Sequence, residues 1–158
     1  MADTPEFLVT RLIEEGEKVS KFFKGLAPHQ WETQVYTDGN QWTVRQILAH
    51  FDVTETNIAR LIRGILAGGS GAPEGFEIDA FNERTVAALQ DLSGDDLLAR
   101  FAAHRQRTVD LVSNLSGEDL LKTGRHPYLG ITRLVDMIKL MYVHNQTHLR
   151  DIRRVISV

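Results

Sequence analysis

Apolar side chains recur along this chain in steps of three and four. Near its start Phe7, Leu8, Leu12, Val19, Phe22, Phe23 and Leu26 keep that rhythm. They predict a helix over about residues 4–26, with Thr4 as N-cap and Pro5 and Glu6 in the first turn. Ile47, Phe51, Thr54, Ile58, Leu61 and Ile65 form a second stripe. It predicts a helix over about residues 43–67 that opens on Thr43 and stops at Gly68-Gly69. A short helix follows in "DAFNERTVAALQ", capped by Asp79. A long one restarts at Ser93 in "SGDDLLARFAAHRQRTVDLVSNL", with acids in its first turn. "SGEDLL" repeats that cap as a short helical turn, and "TRLVDMIKLMYVHNQTHLRDIRRVI" reads as a last helix over about residues 132–156. "APHQWETQVYTDGNQW" and "KTGRHPYLGI" read as loops, and "GGSGAPEGF" as a flexible connection rather than a boundary. No period-two alternation of the kind a strand needs competes with these patterns. The expectation is an all-α four-helix bundle with a broken crossover between its second and third long helices, forming a single domain over residues 1–158.

Composition narrows the class. A chain of 158 residues, 42% hydrophobic and 25% charged, can bury a sizeable core and is not of disordered type. The net charge of -3 calls for neither nucleic acid nor an anionic membrane as partner. No apolar run reaches the roughly 18 residues that span a bilayer, and the N-terminus lacks the pattern of a signal peptide. A cytoplasmic protein is therefore expected. The chain has no cysteine, which excludes disulfides and thiolate ligands. A transition-metal site must then use His, Asp or Glu, and any thiol chemistry must borrow its thiol from a small molecule.

The last helix carries the strongest chemical signal. His144 and His148 in "YVHNQTHLRDIRR" lie four residues apart. Helical geometry puts them about 40° apart around the axis and roughly 6 Å apart along it. They share a stripe with Leu134, Ile138, Met141, Ile152 and Val155, so they point inward. His50 in "QILAHFDVTE" lies on the apolar side of the second helix and supplies a third candidate. Three inward histidines suit a divalent ion and leave positions open for water or substrate. The same residues also suit three core-edge histidines satisfied by carbonyls or water. Residue 145 is Asn, so the pair is not an H-E-x-x-H motif with its own glutamate base. Asp52, Glu55 and Asp151 are candidates to orient an imidazole, although surface salt bridges are the plainer expectation for each. His29 and His126, beside Pro28 and Pro127, read as surface residues, and His104 as solvent-facing. Trp31 and Trp42 read as packing residues, Trp42 with a place as a staple before the second helix.

"QWTVRQILAHFDVTE" resembles the W-[ST]-x-x-x-x-[apolar]-x-H signature of the DinB/YfiT-like superfamily, and "HNQTHLRDI" its C-terminal H-x3-H-x3-I element. "FEIDAFNERTVAAL" is similar to the crossover segment of members related to the N-terminal domain of mycothiol-dependent maleylpyruvate isomerases. The resemblance covers nearly the whole chain. It implies an up-down-down-up four-helix bundle, a divalent metal held by His50, His144 and His148, and often a homodimer. Some relatives are transferases or isomerases that use small thiols such as bacillithiol or mycothiol. Some isomerase-type members place glutamate at one ligand position, whereas all three positions here are histidine, and the extra C-terminal domain of full isomerases is not expected here.

The functional expectation is a metal-dependent enzyme that activates a low-molecular-weight thiol against a small electrophile, by transfer or isomerisation. Zn or Ni is the expected ion. A hydrolase that activates water at the same ion is a variant. A non-catalytic metal or small-molecule binding protein of stress or toxin resistance is the alternative from another class, and a bundle whose histidines bind nothing is the third. Asn82, Glu83 and Tyr128 are candidate pocket residues, and the sequence names no substrate.

Overall fold

The computed structural model describes residues 3–156. Its helices are α1 (Pro5–Lys24), α2 (Val44–Leu66), α3 (Ile78–Ala87), α4 (Gly94–Ser113) and α5 (Leu134–Ile156). Short 3₁₀ turns occupy Pro28–Glu32 and Asp119–Leu121, and two strands, β1 (Thr123–His126) and β2 (Gly130–Arg133), precede α5.

The expected caps start three helices. Thr4 Oγ1 accepts from Phe7 N, Thr43 Oγ1 from Gln46 N and Ser93 Oγ from Asp96 N. Gln46 returns the bond to the Thr43 amide, so α2 begins on a full capping box. Asp79 does not cap α3; it lies in the first turn, and the cap position is Glu77.

Direction follows from which residues share each half of the core. One cluster joins Leu8 and Leu12 of α1 to Ile58, Ile62 and Ile65 of α2, Val109 and Val112 of α4, and Leu134 to Tyr142 of α5. The other joins Val19 and Phe23 to Val44–Phe51, Leu97–Phe101, and Leu149 and Ile152. The first cluster thus takes the starts of α1 and α5 and the ends of α2 and α4. The helices run up, down, down, up. Each of α1 and α2 packs against both α4 and α5. Neighbours α2 and α4 are parallel, so no tight turn can join them. The chain must travel back along the bundle first, and α3 lies on that return.

The segment expected as loop before α5 is instead an antiparallel hairpin, with Thr123 opposite Arg133 and His126 opposite Gly130. Strands this short, with no apolar alternation, leave no periodic trace in sequence. The pairing is secured from outside the hairpin. The Arg125 amide donates to Ser70 O at 2.9 Å, and the Ala72 amide donates to Arg125 O at 2.7 Å. Gly71 makes this possible: its φ is +93°, and a Cβ there would collide with the Arg125 backbone. The glycine-rich connection therefore docks β1 rather than merely spanning a gap.

One buried cation ties the long helices together. Arg105 of α4, 4% exposed, places Nε and Nη2 on the Glu55 carboxylate at 2.8 and 3.0 Å. Its Nη2 also reaches Asn145 Oδ1 at 2.7 Å, and its Nη1 reaches Leu12 O at 3.0 Å. All five donors of a guanidinium favour such a multi-helix seat.

Candidate metal centre

His50 comes from the first half of α2, and His144 and His148 from the middle and second half of α5. Because α2 and α5 are antiparallel neighbours, those stretches lie side by side. His144 Nε2 lies 2.9 Å from His50 Nε2 and 3.0 Å from His148 Nε2. The three rings stand nearly perpendicular to one another, at 75°, 85° and 87°. One nitrogen from each falls within 4.8 Å of the others.

Proton bookkeeping shows why this packing is unusual. Tyr36 Oη donates its one proton to Asp151 Oδ2 at 2.8 Å. It must then accept from His148 Nδ1, 2.6 Å away. That leaves the His148 Nε2 lone pair facing the cluster. His50 Nδ1 faces Thr54 Oγ1 at 3.4 Å, which again directs Nε2 inward. A single proton on His144 Nε2 satisfies one of its two neighbours and leaves the other lone pair opposed. Burial also resists protonation. Desolvation, followed by repulsion from its two companions, holds His50 well below the usual imidazole range. Desolvation, then the charges of His148 and His126, lowers His144 to about 3. Desolvation lowers His148 to about 4 although Asp151 pulls the other way. Three neutral imidazoles whose Nε2 atoms converge fit a cation that would take the lone pair of each: bonds of about 2.0–2.1 Å at tetrahedral angles put ligand nitrogens roughly 3.3 Å apart.

Aromatic rings wall the cluster. Trp42 lies 4.6 Å from the His50 ring at 36°, and Phe51 packs against His144 and His148 at 5.8 and 5.7 Å. Trp42 is thus the packing residue expected, and what it packs on is an imidazole. Two buried polar atoms, Trp42 Nε1 and His144 Nδ1, have no hydrogen-bond partner among the described residues.

Beside His50 and His144 opens a cavity of about 340 Å³. Ile58, Met137, Leu140, Met141 and Val143 supply apolar wall, with Thr54, Asn82, His126 and Thr147 as polar points. Asn82 and Tyr128 line it as expected; Glu83 is not among the lining residues.

Several sequence expectations need correction. His126 is not a surface residue: it is 6% exposed, because the turn after β1 folds back and gives its Nδ1 the amides of Tyr128 and Leu129 at 3.0 and 3.1 Å. Desolvation lowers it to about 4. His29, by contrast, is exposed as expected. His104 does not face solvent freely; its Nδ1 bonds the buried Asp52 carboxylate. Asp52 and Glu55 are not surface ion-pairers and orient no candidate ligand. Both are buried, Asp52 with Arg100 and His104, Glu55 with Arg105. Asp151 alone of the three acids reaches the cluster, through Tyr36. Tyr36 and His126 are the residues that sequence reasoning missed. Each sits in a segment without periodicity, and only the long-range fold brings it to the site.

Comparison with known proteins places this arrangement. Among solved structures, YfiT from Bacillus subtilis, reported as a probable metal-dependent hydrolase with an unusual four-helix bundle topology, superposes with a TM-score of 0.79. It is 19% identical, over 96% of this chain and 85% of its own. The sibling lethal factor precursor DfsB matches with a TM-score of 0.77 at 20% identity, over 98% of this chain and 95% of its own. The colibactin self-resistance protein ClbS, solved in complex with a dsDNA, matches with a TM-score of 0.77 at 15% identity, over 98% and 96%. A nucleic-acid complex thus occurs on this fold, and the charge-based exclusion of such a partner finds no support there. No helix of the described residues is long and apolar enough to cross a membrane. No curated protein matches the chain. The sequence itself matches the DinB superfamily over residues 11–152, and the chain belongs to that superfamily.

Proposed function

We propose that this chain is a divalent-metal-dependent enzyme acting on small, largely apolar electrophiles, with His50, His144 and His148 as the metal ligands. The observation that carries the reading is the convergence of three neutral Nε2 atoms, 2.9 and 3.0 Å from the central one, at the wall of an apolar cavity. When bound, such an ion supplies Lewis acidity and lowers the pKa of a ligated water or thiol. The protein's own share is placement. Tyr36 holds His148 in the tautomer that leaves Nε2 free, Trp42 and Phe51 keep bulk water from the cluster, and the cavity orients the electrophile. Zn or Ni suits an all-imidazole set with open positions.

The nucleophile separates two versions. The absence of cysteine and the family resemblance support a borrowed small thiol, and the fold shared with YfiT supports water. Purified chain without a histidine tag, titrated with Zn and Ni, is expected to bind one ion per chain, and His148→Ala to weaken binding by no less than the roughly 10- to 100-fold that losing a ligand's orienting partner costs. Ester and epoxide panels, each with and without a small thiol, then show which nucleophile is consumed. Full-strength metal binding by His148→Ala would sink the ligand set. Stoichiometric metal with no turnover on either panel would favour the binding-protein alternative.

A further inference from the structure

His126 lies outside the candidate ligand set, yet it lines the same cavity, 6% exposed. Its protonation pattern is fixed by the backbone. The amides of Tyr128 and Leu129 both donate to Nδ1, at 3.0 and 3.1 Å. A nitrogen that accepts two hydrogen bonds carries no proton, so the ring proton of this imidazole sits on Nε2. Nε2 has no hydrogen-bond partner among the described residues, yet it is not sealed off as His144 Nδ1 is. The turn is held in place in its turn, since β1 is bonded to Ser70 and Ala72 of the connection after α2. A donor with no protein partner, on a rigid support beside an apolar cavity, is a recognition element, because a ligand that brings an acceptor can bond it where no protein group does.

We propose that His126 is a substrate-binding residue whose Nε2–H donates to an uncharged oxygen acceptor, such as an ester or ketone carbonyl, on a small apolar molecule. The rest of the lining selects for the absence of charge. Its residues include Asp79 but no Lys or Arg, so in the metal-free chain a carboxylate entering beside the apolar wall meets a like charge and no cationic side chain. The donor thereby sets the substrate class of the site described above, and this inference rests on the reading of that site as the reaction centre.

The test uses three probes of similar size on the full chain, before and after Zn loading: methyl benzoate, isopropylbenzene and benzoate. Binding is read by ligand-observed and protein NMR. Metal-free wild type is expected to bind the ester about three- to tenfold more tightly than the hydrocarbon, the range of one net hydrogen bond, and to bind benzoate most weakly. His126→Asn keeps an acceptor near the position of Nδ1 for the two turn amides and removes the distal donor. It is expected to abolish the preference for the ester while leaving the hydrocarbon affinity unchanged. ¹⁵N shifts of the His126 ring are expected to show a neutral imidazole protonated at Nε2. A proton on Nδ1, equal affinity for ester and hydrocarbon in wild type, or an ester preference that survives His126→Asn would each overturn the inference. The preference is read without metal as well as with it. A chain that failed to bind Zn would therefore sink the metal reading while the role of His126 was still decided.

Discussion

At the scale of single residues, Tyr36 and Arg105, far from each other in sequence, govern different properties. Tyr36 is not a candidate ligand, but it passes the Asp151 carboxylate's demand for a proton on to His148. Tyr36→Phe removes that link while keeping the ring. Metal affinity is expected to fall by about 10- to 100-fold, the usual effect of losing a ligand's orienting partner; competition against a chelator measures it. Arg105 governs stability instead. Glu55→Ala leaves a buried guanidinium with no counter-charge, at an expected cost of about 3–5 kcal/mol in urea unfolding, whereas removing an exposed partner such as Glu32 of the Arg45 pair is expected to change stability by less than about 1 kcal/mol.

At the scale of elements, what was legible in the sequence is what repeats. The four long helices announce themselves through stripes at steps of three and four, and three of them through caps that the structure places where expected. His50, His144 and His148 were legible for the same reason, since an inward face is a periodic property. The hairpin was not. "TGRH" and "GITR" carry no alternation, and their pairing is fixed by contacts to residues more than fifty positions earlier. With the hairpin went His126, which looks like a loop residue beside a proline until the turn folds over it. Asp52 and Glu55 were misjudged because their partners Arg100 and Arg105 lie on α4, and no local pattern pairs a helix with one across the bundle. The hairpin's dependence on the connection can be tested. Gly71→Ala places a Cβ against the Arg125 backbone at a left-handed φ of +93°. The expected loss is about 1–3 kcal/mol, together with shifted resonances for His126 but little change in far-UV helicity.

At the scale of the whole molecule, buried imidazoles set the response to acid. In the folded chain His126 and His148 titrate at about 4 and His144 at about 3, against about 6.5 in an unfolded chain. Between those values the unfolded state takes up protons that the folded state refuses, so stability falls as pH falls. It is full above about pH 6.5 and declines from there through about pH 4 to about pH 3. Urea midpoints at pH 7.5, 5.5 and 4.5 are expected to decrease in that order, and His126→Asn to flatten part of the decline.

The convergence of His50 on His144 also has a topological meaning. The two residues are 94 positions apart, and a cation gripping both would close the intervening chain into a ring. In chain-entropy terms a covalent link over such a span is worth roughly 4–5 kcal/mol. A protein built without a single cysteine would gain from an ion the tether that others obtain from a disulfide. That tether would open to chelators and acid rather than to reductants.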